Sequence, residues 1–470
     1  MTKKNRLIVL FIGAVLFFII TPYIISYSLG YRIDLANKEI VATGGIYVRV
    51  LPPGTDVIVD TNIDNKTGLF SNSVFVQNLL PREHSILIKK EGYYDYQKNL
   101  AVEENEVTKL ENVILFKQRI LFDLLDNSVD YFSIAPDGKN LLLIKYILDE
   151  INFETINLEN QQRNSFELGI EDKKTIPPIT TDTPFFDLKW SDDSNKVLLN
   201  IESRYFLLEP FSPTAKIAPL SFPVNSRDIS FNPQDSEQIF FIQNKNLYLN
   251  KQKPSIIKDV ISYQIVNQNI IWLSNDGFLY SSDIDGKTKH KISEQIFPIK
   301  KNSSYKIINI SGMLFLQEDE SLFLLNKDSR IFETFHDQVQ NIKNSPDGQK
   351  ILYFNDYEIL YSLLNSPLDE QNKILLIKTQ KKINDVYWLN SDYVIFESEN
   401  VITIAEIDNR GNINTINLSP TVSLFSGKNI DIKKPKIYFN QQDKKLYILT
   451  QLSDAAQGKG NLLVSEKLIP

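Results

Sequence analysis

From residue 118 to the end of the chain, a strand-turn-strand unit recurs with a period of roughly forty residues. The clearest copies are Ile134-Ala135-Pro136-Asp137-Gly138-Lys139, Trp190-Ser191-Asp192-Asp193-Ser194, Phe231-Asn232-Pro233-Gln234-Asp235 and Asn344-Ser345-Pro346-Asp347-Gly348-Gln349-Lys350, each followed by an apolar, β-branched or aromatic run. Their turn chemistry is explicit: Pro fixes φ for the second turn position, the Asp carboxylate caps the turn, and Gly accepts positive φ. Short strands in steady series argue against helices, and the period predicts a β-propeller.

Counting units sets the size of the ring. Turns open near Ile134, Trp190, Phe231, Asn344, Trp388 and Phe439, and the long step from Phe231 to Asn344 must hold further units. One spans 260–294, where a run over 263–273 pairs with 278–282 across Asn275-Asp276-Gly277. The other spans 304–337, where 308–316 pairs with 322–325 across Glu318-Asp319-Glu320. The count is eight blades, or seven if one degenerate unit is an insertion, and each blade is expected to be a four-stranded antiparallel sheet. An open ring would leave two sheet edges exposed, so the strand at 119–125 is expected to join the one at 461–465 in a single blade.

Residues 7–29 carry no charged side chain. A helix of that length crosses a hydrocarbon core of about 30 Å. Lys3, Lys4 and Arg6 precede it, so the positive-inside rule places residues 1–6 in the cytoplasm and the bulk of the chain outside the membrane. Tyr23, Tyr27 and Tyr31 fall where the outer interface should be, and Pro22 is placed to kink the helix. A cleaved signal peptide also has a basic start and an apolar centre, but its apolar run is shorter and ends in a small-residue cleavage site, which is lacking here. The reading is an uncleaved signal anchor.

Residues 43–116 alternate with period two and read as a separate β module, with strands at 46–50, 56–60, 73–76, 84–89, 97–102 and 107–116 forming a small sandwich. Leu51-Pro52-Pro53-Gly54-Thr55 between the first two strands, Leu80-Pro81, and Lys90-Glu91-Gly92-Tyr93-Tyr94 give this stretch its landmarks. On those residues it resembles the PEGA domain, a module of bacterial and archaeal surface proteins. It departs from the family where Arg82 and Glu83 replace a usual glycine and where Pro52-Pro53-Gly54-Thr55 replaces Pro-x-Gly-Ala. The resemblance implies a structural or binding element of the cell envelope. The repeats over 118–470 resemble the TolB and WD40-like propellers through Ser345-Pro346-Asp347-Gly348-Gln349-Lys350 and Ala135-Pro136-Asp137-Gly138-Lys139. That resemblance implies the fold and carries over no functional residue.

Composition removes several classes of chemistry. With no cysteine there is no disulfide, zinc-thiolate site, iron-sulfur cluster or cysteine nucleophile. The net charge of −7, without a basic block after the N-terminus, excludes a nucleic-acid footprint. His84, His290 and His336 lie far apart and outside any metal-ligand spacing, so they read as solvated or hydrogen-bonded imidazoles. Asp60-Thr61-Asn62-Ile63-Asp64-Asn65 opens like a calcium loop, but Asn65 and Ser71 stand where Gly and the bidentate acid belong, which leaves a polar hairpin loop. No G-x-S-x-G elbow is present, and Gly286-Lys287-Thr288 lacks the upstream glycine of a phosphate loop. Asp149-Glu150, Glu171-Asp172, Asp192-Asp193 and Glu318 to Glu320 read as turn acids, and Trp190, Trp272 and Trp388 as packing between blades.

The sequence therefore predicts an all-β chain with an N-terminal transmembrane helix, a PEGA-like module and a propeller. No catalytic, cofactor-binding or metal-binding residue is assigned, and no cofactor. The expected role is an envelope binding or scaffold protein that recognises a protein or polysaccharide through propeller loops, with 169–185 as a recognition loop or a spacer. The alternatives are an envelope hydrolase or lyase with carboxylates in the propeller funnel, or a TolB-like component of an assembly or transport machine.

Overall fold

The computed structural model describes all residues except 1–2, 36, 62, 69–70, 148–149, 168–185, 202–203, 212–215, 251–253, 365–371, 419, 423–431 and 453–459. The chain is all-β apart from one N-terminal apolar helix and falls into two compact units. The first comprises Met1–Ile120 with Ile404–Ser419 and Ile469–Pro470, and the second comprises Leu121–Thr403 with Pro420–Leu468. The candidate recognition loop at 169–185 lies outside the described residues.

In the first unit, α1 runs Lys3–Ser28 with Pro22 inside it, and it is long and apolar enough to cross a membrane. A hairpin follows, β1 (Tyr31–Asp34) with β2 (Glu39–Ala42). Strands β3 (Gly44–Leu51), β4 (Asp56–Val59), β5 (Ile63–Lys66), β6 (Ser73–Leu79), β7 (Glu83–Lys89), β8 (Tyr96–Ala101) and β9 (Val107–Ile114) then make two sheets, β6-β3-β9 and β5-β4-β7-β8. Period-two patterning closes the sandwich: Ile46, Val48 and Val50 of one sheet share a core with Val57, Val59, Ile86 and Ile88 of the other. β5 falls in the stretch read as a polar loop. Asp60 and Thr61 take positive φ, turning the chain so that Val57 to Val59 pair with Asn65 to Ile63.

The second unit carries the repeats. In chain order the sheets begin at Tyr131–Ile134, Phe186–Trp190, Arg227–Asn232, Val260–Val266, Tyr305–Ile310, Asn341–Asn344 and Ile383–Trp388. The last sheet joins Ile432–Asn440, Lys445–Leu452 and Gly460–Lys467 to Ile120–Val129 and Pro420–Val422. Four strands per sheet is the rule, but the third has three named strands and the last five. In the third sheet, Ile257 makes only an isolated bridge to Leu247. Successive sheets share cores, as Leu142 and Phe153 do with Val197 and Phe206, and Phe240 and Leu247 with Val260 and Trp272. The last sheet packs on the first through Val129, Ile134, Leu141, Tyr447 and Leu462. This is a propeller's succession of sheets, closed where Phe122 pairs with Ser465 and Leu124 with Leu463.

Two expected strands are hairpins in themselves. The run at 263–273 reverses at Asn267-Gln268, and the run at 308–316 reverses at Ser311-Gly312, all four residues with positive φ. Such two-residue turns match the twist of the flanking strands, so each run folds into two strands instead of one.

The repeat turns interlock. Ser345 Oγ donates to Asp347 Oδ1 at 2.5 Å, and Asp347 Oδ1 also accepts from Gln349 N–H at 3.0 Å. The backbone N–H of Asp347 donates onward to Ser391 Oγ in the next repeat, at 3.1 Å. Asp137 N–H does the same to Ser194 Oγ at 3.0 Å, and Ser236 Oγ donates to Asp193 Oδ2 at 2.8 Å. Burial alone would raise the Asp193 carboxyl, but donation from Ser191, Asn195 and Ser236 outweighs it and holds the group at about 2.

Candidate functional site

A pocket of about 720 Å³ opens in the second unit where the leading strands of the first, seventh and last sheets converge. Its size is that of a small-ligand site. Side chains alternate along a strand, so the residues one and three positions before each buried turn-opening residue share one face. Before Ile134 these are Ser133 and Tyr131, before Trp388 they are Tyr387 and Asp385, and before Phe439 they are Tyr438 and Lys436. All six line the pocket.

Its wall is aromatic with charged support behind it. The Tyr387 and Tyr438 rings meet edge to face with centroids 5.4 Å apart. The Lys343 ammonium lies over the Tyr387 ring, 3.8 Å from its centroid. Lys343 also donates to Asp385 Oδ1 at 2.7 Å and to the Val386 carbonyl at 2.6 Å. Burial lowers the Lys343 pKa, and the Asp385 charge opposes that shift. Burial followed by the Asp385 charge pushes the Tyr387 phenol well above its ordinary value, while burial with Asp187 raises Tyr131 and burial with Asp443 raises Tyr438. The three phenols are neutral hydroxyls at physiological pH.

Each lining carboxylate is engaged by the protein. Asp385 holds Lys343, and Glu397, buried, accepts from Asn384 Nδ2 and from Asn400 N–H at 2.8 Å. Glu399 pairs with Lys381 at 3.5 Å. Lys434 and Lys436 stand exposed at the rim, the latter with its ammonium 5.5 Å from the Tyr131 ring centroid. The chemistry on offer is aromatic faces, neutral hydroxyls and two rim cations.

The sequence candidates lie elsewhere. His84 is buried, with Nδ1 2.7 Å from Asp60 Oδ2 and Nε2 2.8 Å from the Leu80 carbonyl, a hydrogen-bonded core imidazole. His290 is exposed and His336 packs edge to face on Tyr353. Among the described residues, no group of three or more His, Asp or Glu side chains is placed to hold a metal. Glu318 is buried and accepts from Lys300 Nζ at 2.6 Å and Tyr305 O–H at 2.5 Å. Asp149, Glu171 and Asp172 lie outside the described residues. Gly286, Lys287 and Thr288 form a strand turn whose N–H groups close onto Asp283. Trp272 and Trp388 are buried, Trp190 is half-buried with its indole N–H on Ser133 Oγ, and none of the three lines the pocket.

Comparison with known proteins bears on the fold alone. No family model matches the chain, and no curated protein matches it. Solved structures similar to it include Kluyveromyces lactis Hsv2, at 12% identity and a TM-score of 0.38 over 62% of this chain and 98% of that one. Saccharomyces cerevisiae Sqt1 matches at 10% identity and a TM-score of 0.44, covering 75% and 99%. A YCF48 solved with a D1 peptide bound matches at 13% identity and a TM-score of 0.36, covering 74% and 94%.

Proposed function

We propose that this chain is a single-pass membrane protein of the cell envelope that binds or scaffolds a partner through its repeat unit. Lys3, Lys4 and Arg6, ahead of the uncharged stretch 7–29, support a cytoplasmic N-terminus and an extracytoplasmic bulk. Residues 43–116 serve as a PEGA-like module and 118–470 as a TolB- or WD40-like propeller, whose sheets we read as eight blades. The partner is an envelope protein or polysaccharide.

The observation that carries the binding reading is the make-up of the 720 Å³ pocket: Tyr131, Tyr387 and Tyr438 form its wall, while Glu397 is buried on internal donors, Asp385 holds Lys343 and Glu399 makes an exposed ion pair with Lys381. Glycoside hydrolysis needs two carboxylates available to substrate, one of them held protonated. Aromatic faces and neutral hydroxyls instead suit the stacking and hydrogen bonding of a binding site. The test is titration of the full chain in nanodiscs with envelope polysaccharide fragments and with solubilised envelope proteins. Tyr387→Ala is expected to weaken the interaction about tenfold or more, as loss of an aromatic anchor does. Equal binding by Tyr387→Ala and the parent, or turnover of a bound glycan, would remove this reading.

A further inference from the structure

The hairpin β1–β2 is patterned inside out. Tyr31, Ile33 and Leu35 share one face, and Ile40 stands directly across from Ile33. This apolar face is the uncovered one: Ile33 is 53% exposed, Ile40 69% and Leu35 84%. Arg32, Asp34 and Val41 on the opposite face are half-buried, with Arg32 donating to Asn78 Oδ1 of β6 at 2.8 Å. A hairpin in water does the reverse, turning its charges outward.

Position along the chain identifies what covers that face. Only Leu29 and Gly30 separate α1 from β1, and the Gly30 carbonyl accepts from Thr43 N–H at 3.0 Å, closing the hairpin against the helix end. Ile33, Leu35 and Ile40 face back toward Pro22, Tyr23 and Tyr27 of α1 across a notch of about 540 Å³. The hairpin's apolar side chains are thus level with the last turns of the helix. Tyr23 and Tyr27 sit with ring centroids 6.2 Å apart, and the Arg32 guanidinium lies 3.5 Å from the Tyr27 centroid, an aromatic and cationic pairing suited to headgroup depth.

We propose that β1–β2 is an interfacial membrane element, with Ile33, Leu35 and Ile40 entering the boundary between headgroups and acyl chains and lipid filling the notch beside α1. This rests on α1 spanning the bilayer. It gives the anchor a second point of attachment, which fixes the angle at which the chain leaves the membrane.

The absence of cysteine makes the test direct, because an introduced cysteine carries the only label. Nitroxides are attached at Ile12→Cys, Leu35→Cys, Ile40→Cys and Val224→Cys of the full chain in phosphatidylethanolamine–phosphatidylglycerol nanodiscs. Collision rates are then measured with oxygen, which concentrates in lipid, and with a polar nickel chelate. Oxygen is expected to dominate at Ile12, Leu35 and Ile40, and the chelate at Val224, which is 82% exposed. If Ile12 reports lipid while Leu35 and Ile40 report water, or shielding from both probes by a protein partner or a second copy, the hairpin proposal is wrong and the spanning helix stands. An aqueous signal at Ile12 overturns the spanning helix and the proposal together.

Discussion

Lys98 sits in the core of the first unit with no exposed surface. Its ammonium donates to Glu406 Oε1 at 2.6 Å, to the Asp408 carbonyl at 2.7 Å and to the Asn412 carbonyl at 3.0 Å, which uses all three protons. Glu406 is equally well served, by Tyr96 O–H on Oε2 and by Asn414 N–H and Nδ2 on Oε1. The loop that supplies the carbonyls depends on Gly411: its φ is +64°, and an added Cβ would lie 2.3 Å from the Asn99 carbonyl oxygen. Burying two charges is costly even when they are paired, so the pair's value lies in what its loss would leave behind. Lys98→Met strands the Glu406 carboxylate and is expected to cost about 3–5 kcal/mol in denaturant unfolding of the first unit. Adding Glu406→Leu removes the stranded charge and should recover much of that loss. A single variant as stable as the parent would show that the charge had been relieved by water.

At the scale of elements, closure of the repeat unit depends on the meeting of Ile120–Val129 with Gly460–Lys467. A square of charges holds the same strand to the first sheet. Lys145 Nζ donates to Asp126 at 2.8 Å and Glu154 at 2.7 Å, while Arg163 donates to Asp126 at 2.6 Å, to Glu154 at 3.0 Å and to the Leu125 carbonyl. Arg163→Met leaves one cation for two largely buried carboxylates. It should cost on the order of 1–3 kcal/mol, with amide exchange accelerating first in Ile120–Val129 and Gly460–Lys467. Exchange that quickened evenly over the second unit would mean that closure does not rest on this seam. The closing strands were legible from the rule that a ring leaves no free edge, and the repeat turns from Pro-Asp-Gly chemistry. The reversals at Asn267-Gln268 and Ser311-Gly312 were not, because neither interrupts its apolar run with the Asn-Gly or Asp-Gly pair that marks such turns. The pocket was half legible: the repeat register aligns Tyr387 and Tyr438, but only the fold brings the first repeat's Tyr131 beside the last.

For the molecule as a whole, the proposed anchor makes the decisive quantity which side of the membrane the repeat unit would occupy. A 23-residue stretch without charge fits a bilayer crossing, and three basic residues on one flank bias its orientation. The opposite flank, beginning Tyr31-Arg32-Ile33-Asp34, carries one charge of each sign and offers no competing bias. The same cysteine-free background turns orientation into a labelling experiment in intact cells. Val224 is highly exposed and distant in sequence from α1, so Val224→Cys should react with a membrane-impermeant maleimide without lysis if the bulk is extracytoplasmic. A cysteine placed between Met1 and Lys3, as Thr2→Cys, should react only after permeabilisation. Reversed labelling would put the tyrosine-walled pocket in the cytoplasm, out of reach of any envelope polysaccharide, and leave a cytoplasmic protein as its partner. Labelling at Val224→Cys in the culture medium, with none on cells, would mean that α1 is removed as a signal peptide and that the hairpin has no bilayer to enter. Cell-bound labelling at Val224 together with protection at Thr2 is the one outcome that keeps the anchor, the hairpin and an envelope ligand in one mechanism, in which the membrane holds the proposed ligand site at the outer face of the cell.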